Sequence, residues 1–196
     1  WSSDVCSSDL GAAFLSIVSD DPEIFSDVEP ERIGRYMRAF AEKSRPYRAI
    51  LNADKIQWCV AAVPNPIWAK KLFPGKSEDE AVKALWRAIL KAARVNDGGD
   101  PAEEWKSHTA TLAERCRWLN EMDFRYLRYS NSLGTDLLVE LPEGHVWEGG
   151  SSRRPDGVEF LPNIPTEEVF TAPKRDGVNG IVYAAKPLAL IGNFTI

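Results

Sequence analysis

The chain has 196 residues, 44% of them hydrophobic and 27% charged, which is ordinary for a globular protein of one domain or parts of two. A formal net charge of −5 argues against a nucleic-acid-binding protein, which usually presents a basic surface. No apolar run approaches the roughly 18 residues that a membrane-spanning helix needs, and three cysteines without paired spacing favour reduced thiols in a cytoplasmic protein.

The first ten residues, WSSDVCSSDL, repeat the tripeptide Ser-Ser-Asp, which no helix or strand pattern requires. Residues 5–10 can be encoded by the end of a common sequencing adapter, so residues 1–10 are interpreted as a non-native segment that precedes Gly11. The alternative is a disordered terminus rich in serine and aspartate. Because Ile196 ends a strand-like run equally abruptly, we expect the chain to be truncated at both ends.

The residues that follow Gly11 predict strands and helices in alternation. Residues 11–19 and 57–63 are apolar runs typical of buried strands, the second stopped by prolines. Residues 30–44 predict an amphipathic helix that begins at Pro30, with one or two further helical turns reaching Leu51. Residues 67–73 predict a short helix ended by a Pro-Gly pair.

Two longer helices are predicted next. Ser77 and Glu80 have the spacing of a capping box, and the helix that they begin has an apolar face formed by Val82, Leu85, Trp86, Ile89 and Ala93. The breaker NDGGD at 96–100 precedes a helix that carries Trp105, Leu112, Cys116 and Leu119 toward its core side. Residues 11–107 are therefore predicted to be the end of an N-terminal α/β domain, a sheet with covering helices.

The pattern changes after about Met122. Residues 124–129, 135–141, 158–161, 181–185 and 188–196 read as short strands, with Gly-Asn at 192–193 as a hairpin turn. Closely spaced strands with glycine and asparagine turns predict an antiparallel arrangement. Residues 108–196 are therefore assigned to the start of a β-rich α+β domain.

Few residues outside one segment suggest chemistry. The chain has two histidines, and it lacks the motifs of zinc peptidases, phosphate loops and serine hydrolases. His108 lies among polar residues of a predicted helix, so we expect a solvated or capping histidine. His145 lies in a turn between strands, where a structural role is expected. The absence of a nucleophile with a neighbouring base argues against an α/β hydrolase.

The unusual segment is LPNIPTEEVFTAP at 161–173, in which two prolines discourage helix on either side. Strand alternation places Glu168 and Phe170 on one face, and Glu167 and Val169 on the other. A carboxylate beside a bulky aromatic tends to be desolvated, and a divalent cation would compensate its charge. The alternative is a solvent-facing pair of glutamates, which the residues alone do not exclude.

Several stretches together resemble the thermophilic aminopeptidase family of metallopeptidases, the aminopeptidase T, S and II type. The segment at 163–173 is the most specific of them, and the shorter ones occur in the family's order. They lie at 68–74, 85–89, 134–137, 141–150, 162–173, 177–180 and 186–188.

The resemblance implies an exopeptidase about twice this length, with an N-terminal α/β domain and a C-terminal catalytic domain that binds two divalent metal ions (Zn, Co, Mn or Mg). It assigns one metal ligand to this chain, Glu168. Strand alternation makes its neighbour Glu167 outward-facing and a candidate to support the ligands. Neither His108 nor His145 matches a family ligand, and no catalytic residue and no further cofactor-binding residue is assigned to this chain.

The resemblance further implies peptide substrates with a free N-terminus and a homodimer when the protein is intact. The net charge and the lack of a long apolar run predict no nucleic-acid or membrane partner. Because a single carboxylate cannot hold a catalytic metal tightly, we expect the fragment alone to be inactive. The alternative is a non-catalytic peptide-binding or assembly module that shares the aminopeptidase ancestry.

Overall fold

A computed structural model of the protein describes residues 13–19, 21, 23–96 and 98–185. Residues 1–10, which were interpreted as a non-native segment, lie outside the described residues. The strand and hairpin predicted at 188–196 lie outside them too. The described residues form a mixed α/β structure. In chain order its elements are β1 (Ala13–Val18), α1 (Pro30–Lys43), α2 (Arg45–Asn52), β2 (Gln57–Ala62), α3 (Pro66–Leu72), α4 (Glu78–Ala92), α5 (Pro101–Met122), β3 (Tyr126–Ser130), β4 (Asp136–Glu140), β5 (Glu148–Gly149), β6 (Ser152–Arg153), β7 (Glu159–Phe160), β8 (Asn163–Ile164), β9 (Val169–Phe170) and β10 (Val178–Ile181).

The chain divides into two compact units. The first unit comprises the described residues up to His108 together with Ser151–Thr166, and the second comprises Thr109–Gly150 with the described residues from Glu167 onward. The first division therefore falls one residue after the boundary predicted at 107/108, inside α5. The return of 151–166 to the first unit was not predicted. The identification of these parts as an N-terminal and a catalytic domain stays a prediction.

A parallel sheet with the strand order β1-β2-β8 lies in the first unit. β1 pairs with β2 along its whole length, and the two residues of β8 pair with Val60 and Ala61 on the other side of β2. Both predicted strands are confirmed, but the prediction that they are buried is wrong for β1 and only partly right for β2, whose six residues are all half-buried. Leu15 and Ile17 of β1 are 65% and 60% exposed, which shows that their face of the strand is not covered, and neither α1 nor α2 has a buried residue.

The core of the first unit lies between α3 and α4. Its buried residues are Ala69, Ala81 and Leu85, and the partly buried side chains packed against them are Trp68, Phe73, Val82 and Ile89. The predicted capping box is present: the Ser77 hydroxyl accepts from the backbone N–H of Glu80, whose carboxylate accepts from the backbone N–H of Ser77. The predicted apolar face of α4 is confirmed except at Trp86, which is 39% exposed.

The second unit contains an antiparallel sheet with the order β10-β4-β3 and the short antiparallel pair β5-β9. Leu112 and Cys116 of α5 are buried, as predicted from their helical spacing. The strand predicted at 181–185 instead occupies Val178–Ile181. A Cβ at Gly180 would lie 2.1 Å from the carbonyl oxygen of Asp136, so the glycine permits the close pairing of β10 with β4.

Candidate functional site

The segment that carries Glu168 is held by a close backbone approach. Glu168 directly precedes β9, in which Val169 and Phe170 pair antiparallel with Gly149 and Glu148 of β5. A Cβ at Gly149 would lie 2.4 Å from the carbonyl oxygen of Glu168 and 3.0 Å from the Cα of Val169. Only glycine fits there without displacing the neighbouring backbone, and the main chain of Glu168 is therefore packed directly on β5.

The side chains of this segment are more exposed than the sequence suggested. Glu167 and Glu168 are both exposed, and Phe170 is 54% exposed. The expectation of a carboxylate desolvated beside an aromatic ring is therefore wrong in this chain, because Phe170 lies on a two-residue strand whose outer face is open. Exposure removes the burial argument for a metal at Glu168 and leaves the family resemblance to support it.

The described residues do not assemble a metal site by themselves. Among residues 13–19, 21, 23–96 and 98–185, no group of three or more histidine, cysteine, aspartate or glutamate side chains is arranged to hold a metal ion. Catalytic zinc sites use about three protein ligands. The carboxylate of Glu168 suits a divalent ion as one hard oxygen ligand, and it would need ligands from outside the described residues.

His108 is not the solvated or capping residue that the sequence predicted. It is half-buried, with its Nε2 2.8 Å from the carbonyl oxygen of Thr166 and its Nδ1 3.0 Å from Nη2 of Arg94. The guanidinium of Arg94 lies 4.8 Å from the ring centre of Trp105, which meets the His108 ring edge-on. A sequence signal existed, since His108 is three residues after the core-facing Trp105 and shares its side of α5.

Thr166, the residue that His108 reaches, is only 9% exposed and lies two residues before Glu168. It is the buried polar residue of the described part of the chain. The Ile164–Pro165 peptide that precedes it is cis. The segment that leads into Glu168 is therefore packed into the first unit up to Thr166, although the two glutamates that follow are exposed.

The contacts of His145 fit the predicted structural role. Its Nδ1 lies 3.0 Å from the carbonyl oxygen of Pro142, and its side chain is 3% exposed. Two residues after His145, Trp147 accepts at its carbonyl from the side-chain amide of Asn120 and donates its N–H to the amide oxygen of the same side chain. These bonds fasten the loop before β5 to α5 and bring Gly149 into position for its approach to Glu168.

The thermophilic metalloprotease (M29) family model matches residues 6–195, so the chain belongs to that family of metallopeptidases. Aminopeptidase AmpS of Bacillus subtilis (strain 168) is 43% identical over 190 residues, which cover 95% of this chain and 46% of the relative. Aminopeptidase T of Thermus aquaticus is 43% identical over 182 residues, covering 93% of this chain and 44% of the relative. The resemblance inferred from the sequence is thereby confirmed.

A solved structure shares the fold. Wild-type AmpT from Thermus thermophilus matches with a TM-score of 0.80 and 38% identity, over 93% of this chain and 44% of that one. The chain thus spans a little under half the length of the relatives that it matches. None of the helices in the described residues is long and apolar enough to cross a membrane.

Proposed function

We propose that this chain is part of a metal-dependent aminopeptidase that hydrolyses the N-terminal residue from peptides. The observation that supports the proposal is the family match over residues 6–195, together with relatives that are named aminopeptidases. Glu168 is the residue of this chain that would contribute a carboxylate to a metal. Glu167, its neighbour in the same segment, would support the ligands rather than bind the metal.

The metals would be two divalent ions, Zn²⁺, Co²⁺, Mn²⁺ or Mg²⁺, and such a pair lowers the pKa of a bound water so that it becomes a nucleophile. The described residues contain no group that could complete this site, so no step of the reaction is assigned to them. The chain alone is therefore expected to lack peptidase activity. The proposed substrates are peptides with a free N-terminus, and the intact enzyme is proposed to be a cytoplasmic homodimer.

The test compares three substitutions of the same chemical kind in a full-length protein that contains this chain. Glu168→Gln keeps the size of the side chain and removes its charge, and Glu114→Gln makes the same change at an exposed position of α5. Glu167→Gln makes it at the neighbouring glutamate. The readouts are hydrolysis of leucine p-nitroanilide in the presence of added metal and metal content after dialysis.

We expect Glu168→Gln to lose at least ~100-fold in metal affinity and activity, because removing a ligand costs at least as much as removing a group that supports one. Glu167→Gln should lose ~10-fold to 100-fold, the usual effect of removing a group that supports a ligand, and Glu114→Gln should behave like the parent. Full metal binding and hydrolysis by the Glu168→Gln protein would contradict the assignment. A full-length protein with no hydrolysis under any metal would favour the alternative of a non-catalytic peptide-binding or assembly module.

A further inference from the structure

We propose that His108 is a positioning residue, which fixes the main chain immediately before Glu168 by donating a hydrogen bond to the carbonyl oxygen of Thr166. The inference rests on the proposed function, since it concerns how the proposed ligand is held. The bond joins residues 58 positions apart and is 2.8 Å long. Its acceptor belongs to Thr166, which is buried, whereas the next two residues, Glu167 and Glu168, are exposed.

The partners of the two ring nitrogens determine the direction of this hydrogen bond. A guanidinium group has only donors, so Nη2 of Arg94, 3.0 Å from Nδ1 of His108, requires that Nδ1 carry a lone pair. A carbonyl oxygen only accepts, so Nε2 must carry the proton that meets Thr166. The neutral tautomer protonated on Nε2 satisfies both contacts, and the other neutral tautomer satisfies neither.

The imidazole is itself held in place by groups from α5 and from the two residues that follow α4. Trp105, one turn earlier on α5, packs edge-on against the ring with 5.6 Å between ring centres. The Trp105 indole N–H donates to the carbonyl of Ala93 at 2.8 Å, at the end of α4. Arg94 follows directly, with a φ of 58°, and its guanidinium lies over the Trp105 ring. His108 therefore has little freedom to turn away from Thr166.

Thr166 and Val169, which flank the two glutamates in the sequence, are each held within their own compact unit. On the N-terminal side, Thr166 accepts from His108, and on the C-terminal side, Val169 pairs with Gly149 at close approach. An exposed carboxylate binds a metal well only if its backbone does not have to be ordered on binding, because that ordering lowers affinity. The hydrogen bond from Nε2–H of His108 supplies such order at Thr166, and the pairing of β9 with β5 supplies it at Val169.

Glutamine and leucine at position 108 separate the hydrogen bond from the rest of the side chain. His108→Gln keeps one amide donor that can reach Thr166 and one oxygen that can accept from Arg94, which reproduces the polarity of the neutral imidazole. His108→Leu fills similar space and provides neither group. His108→Asn is polar but too short to reach Thr166, and it replaces the leucine variant if that protein does not fold.

The experiment titrates the metal-free full-length protein with Zn²⁺ and with Co²⁺, and follows amide hydrogen exchange of Glu167 and Glu168 without metal. We expect His108→Leu to bind ~10-fold to 100-fold more weakly and to exchange faster at both amides. His108→Gln should bind within ~3-fold of the parent, although both substitutions remove the ring and its packing against Trp105.

Wild-type affinity and exchange in a folded His108→Leu or His108→Asn protein would overturn the inference, and so would equal losses in the Gln and Leu variants. Glu168→Gln, measured in the same titration, separates this outcome from failure of the proposed function. If Glu168→Gln weakens metal binding and His108→Leu does not, the proposed function stands and the positioning role of His108 is refuted. If Glu168→Gln leaves binding unchanged, the proposed function fails.

Discussion

Gly149→Ala is expected to separate β9 from β5 and so to displace the backbone of Glu168. The added Cβ would lie 2.4 Å from the Glu168 carbonyl oxygen, whereas an ordinary contact between carbon and oxygen is about 3.3–3.6 Å. The strands must therefore move apart by about 1 Å. A ladder hydrogen bond of ordinary length stretched by that distance is no longer a hydrogen bond, and β9 has only two residues with which to compensate.

The cost should be about 1–3 kcal/mol, as for other overpacked sites, and should be measured by urea unfolding of the full-length protein. Gly75→Ala is the matched control, because a Cβ there meets nothing within 4 Å. Hydrogen exchange at Val169 should accelerate in the Gly149 variant and stay unchanged in the control. Equal stability and equal exchange in the two variants would refute the argument that the close approach requires glycine.

Three further substitutions or treatments test the core, the helix start and the thiols. Leu85→Ala, at a site 3% exposed, should destabilise the protein by about 2–5 kcal/mol in urea unfolding, while Leu90→Ala, at a site 38% exposed on the same helix, should cost under about 1 kcal/mol. Hydrogen bonds from the hydroxyl of Ser77, and then from its backbone N–H, lower the pKa of Glu80. Ser77→Ala removes the hydroxyl and should therefore raise that pKa toward its ordinary value in an NMR titration. In the parent, the stabilisation from these bonds is present above the unfolded-state pKa of Glu80 and is lost as pH falls through the folded pKa. Burial, and then the charge of Glu148, raise the pKa of the Cys116 thiol, so iodoacetamide at pH 8 should modify it more slowly than a free cysteine and at the ordinary rate after denaturation. An unchanged Glu80 pKa in Ser77→Ala would contradict the role of the Ser77 hydroxyl. Rapid alkylation of Cys116 in the native protein would contradict the burial of its thiol.

Features fixed by neighbouring residues could be predicted from the sequence. The capping box of Ser77 and Glu80 joins residues three apart, and the helix bounds agree with the predictions to within a residue or two. The buried side of α5 at Leu112 and Cys116 follows from helical spacing alone. These signals are local, so no knowledge of the tertiary structure was needed to read them.

Features that depend on distant residues could not be predicted in the same way. The role of His108 depends on Thr166, and the pairing of β2 with β8 depends on residues about 100 positions apart, for which periodicity gives no signal. The exposure of Leu15 and Phe170 depends on what covers each strand, whereas an apolar pattern reports only the strand. Family likeness, rather than periodicity, is what singled out Glu168.

The pairing of β8 beside β2 has a consequence for the order in which the chain can fold. The N–H of Val60 donates to the carbonyl of Pro162, and β8 follows at Asn163–Ile164, so the second neighbour of β2 is made only after residues 109–150 of the other unit. On the ribosome, one side of β2 therefore stays unpaired while about a hundred residues are synthesised. At about 5–20 residues per second, this takes roughly five to twenty seconds. During that interval β2 presents an open edge with which another chain can pair.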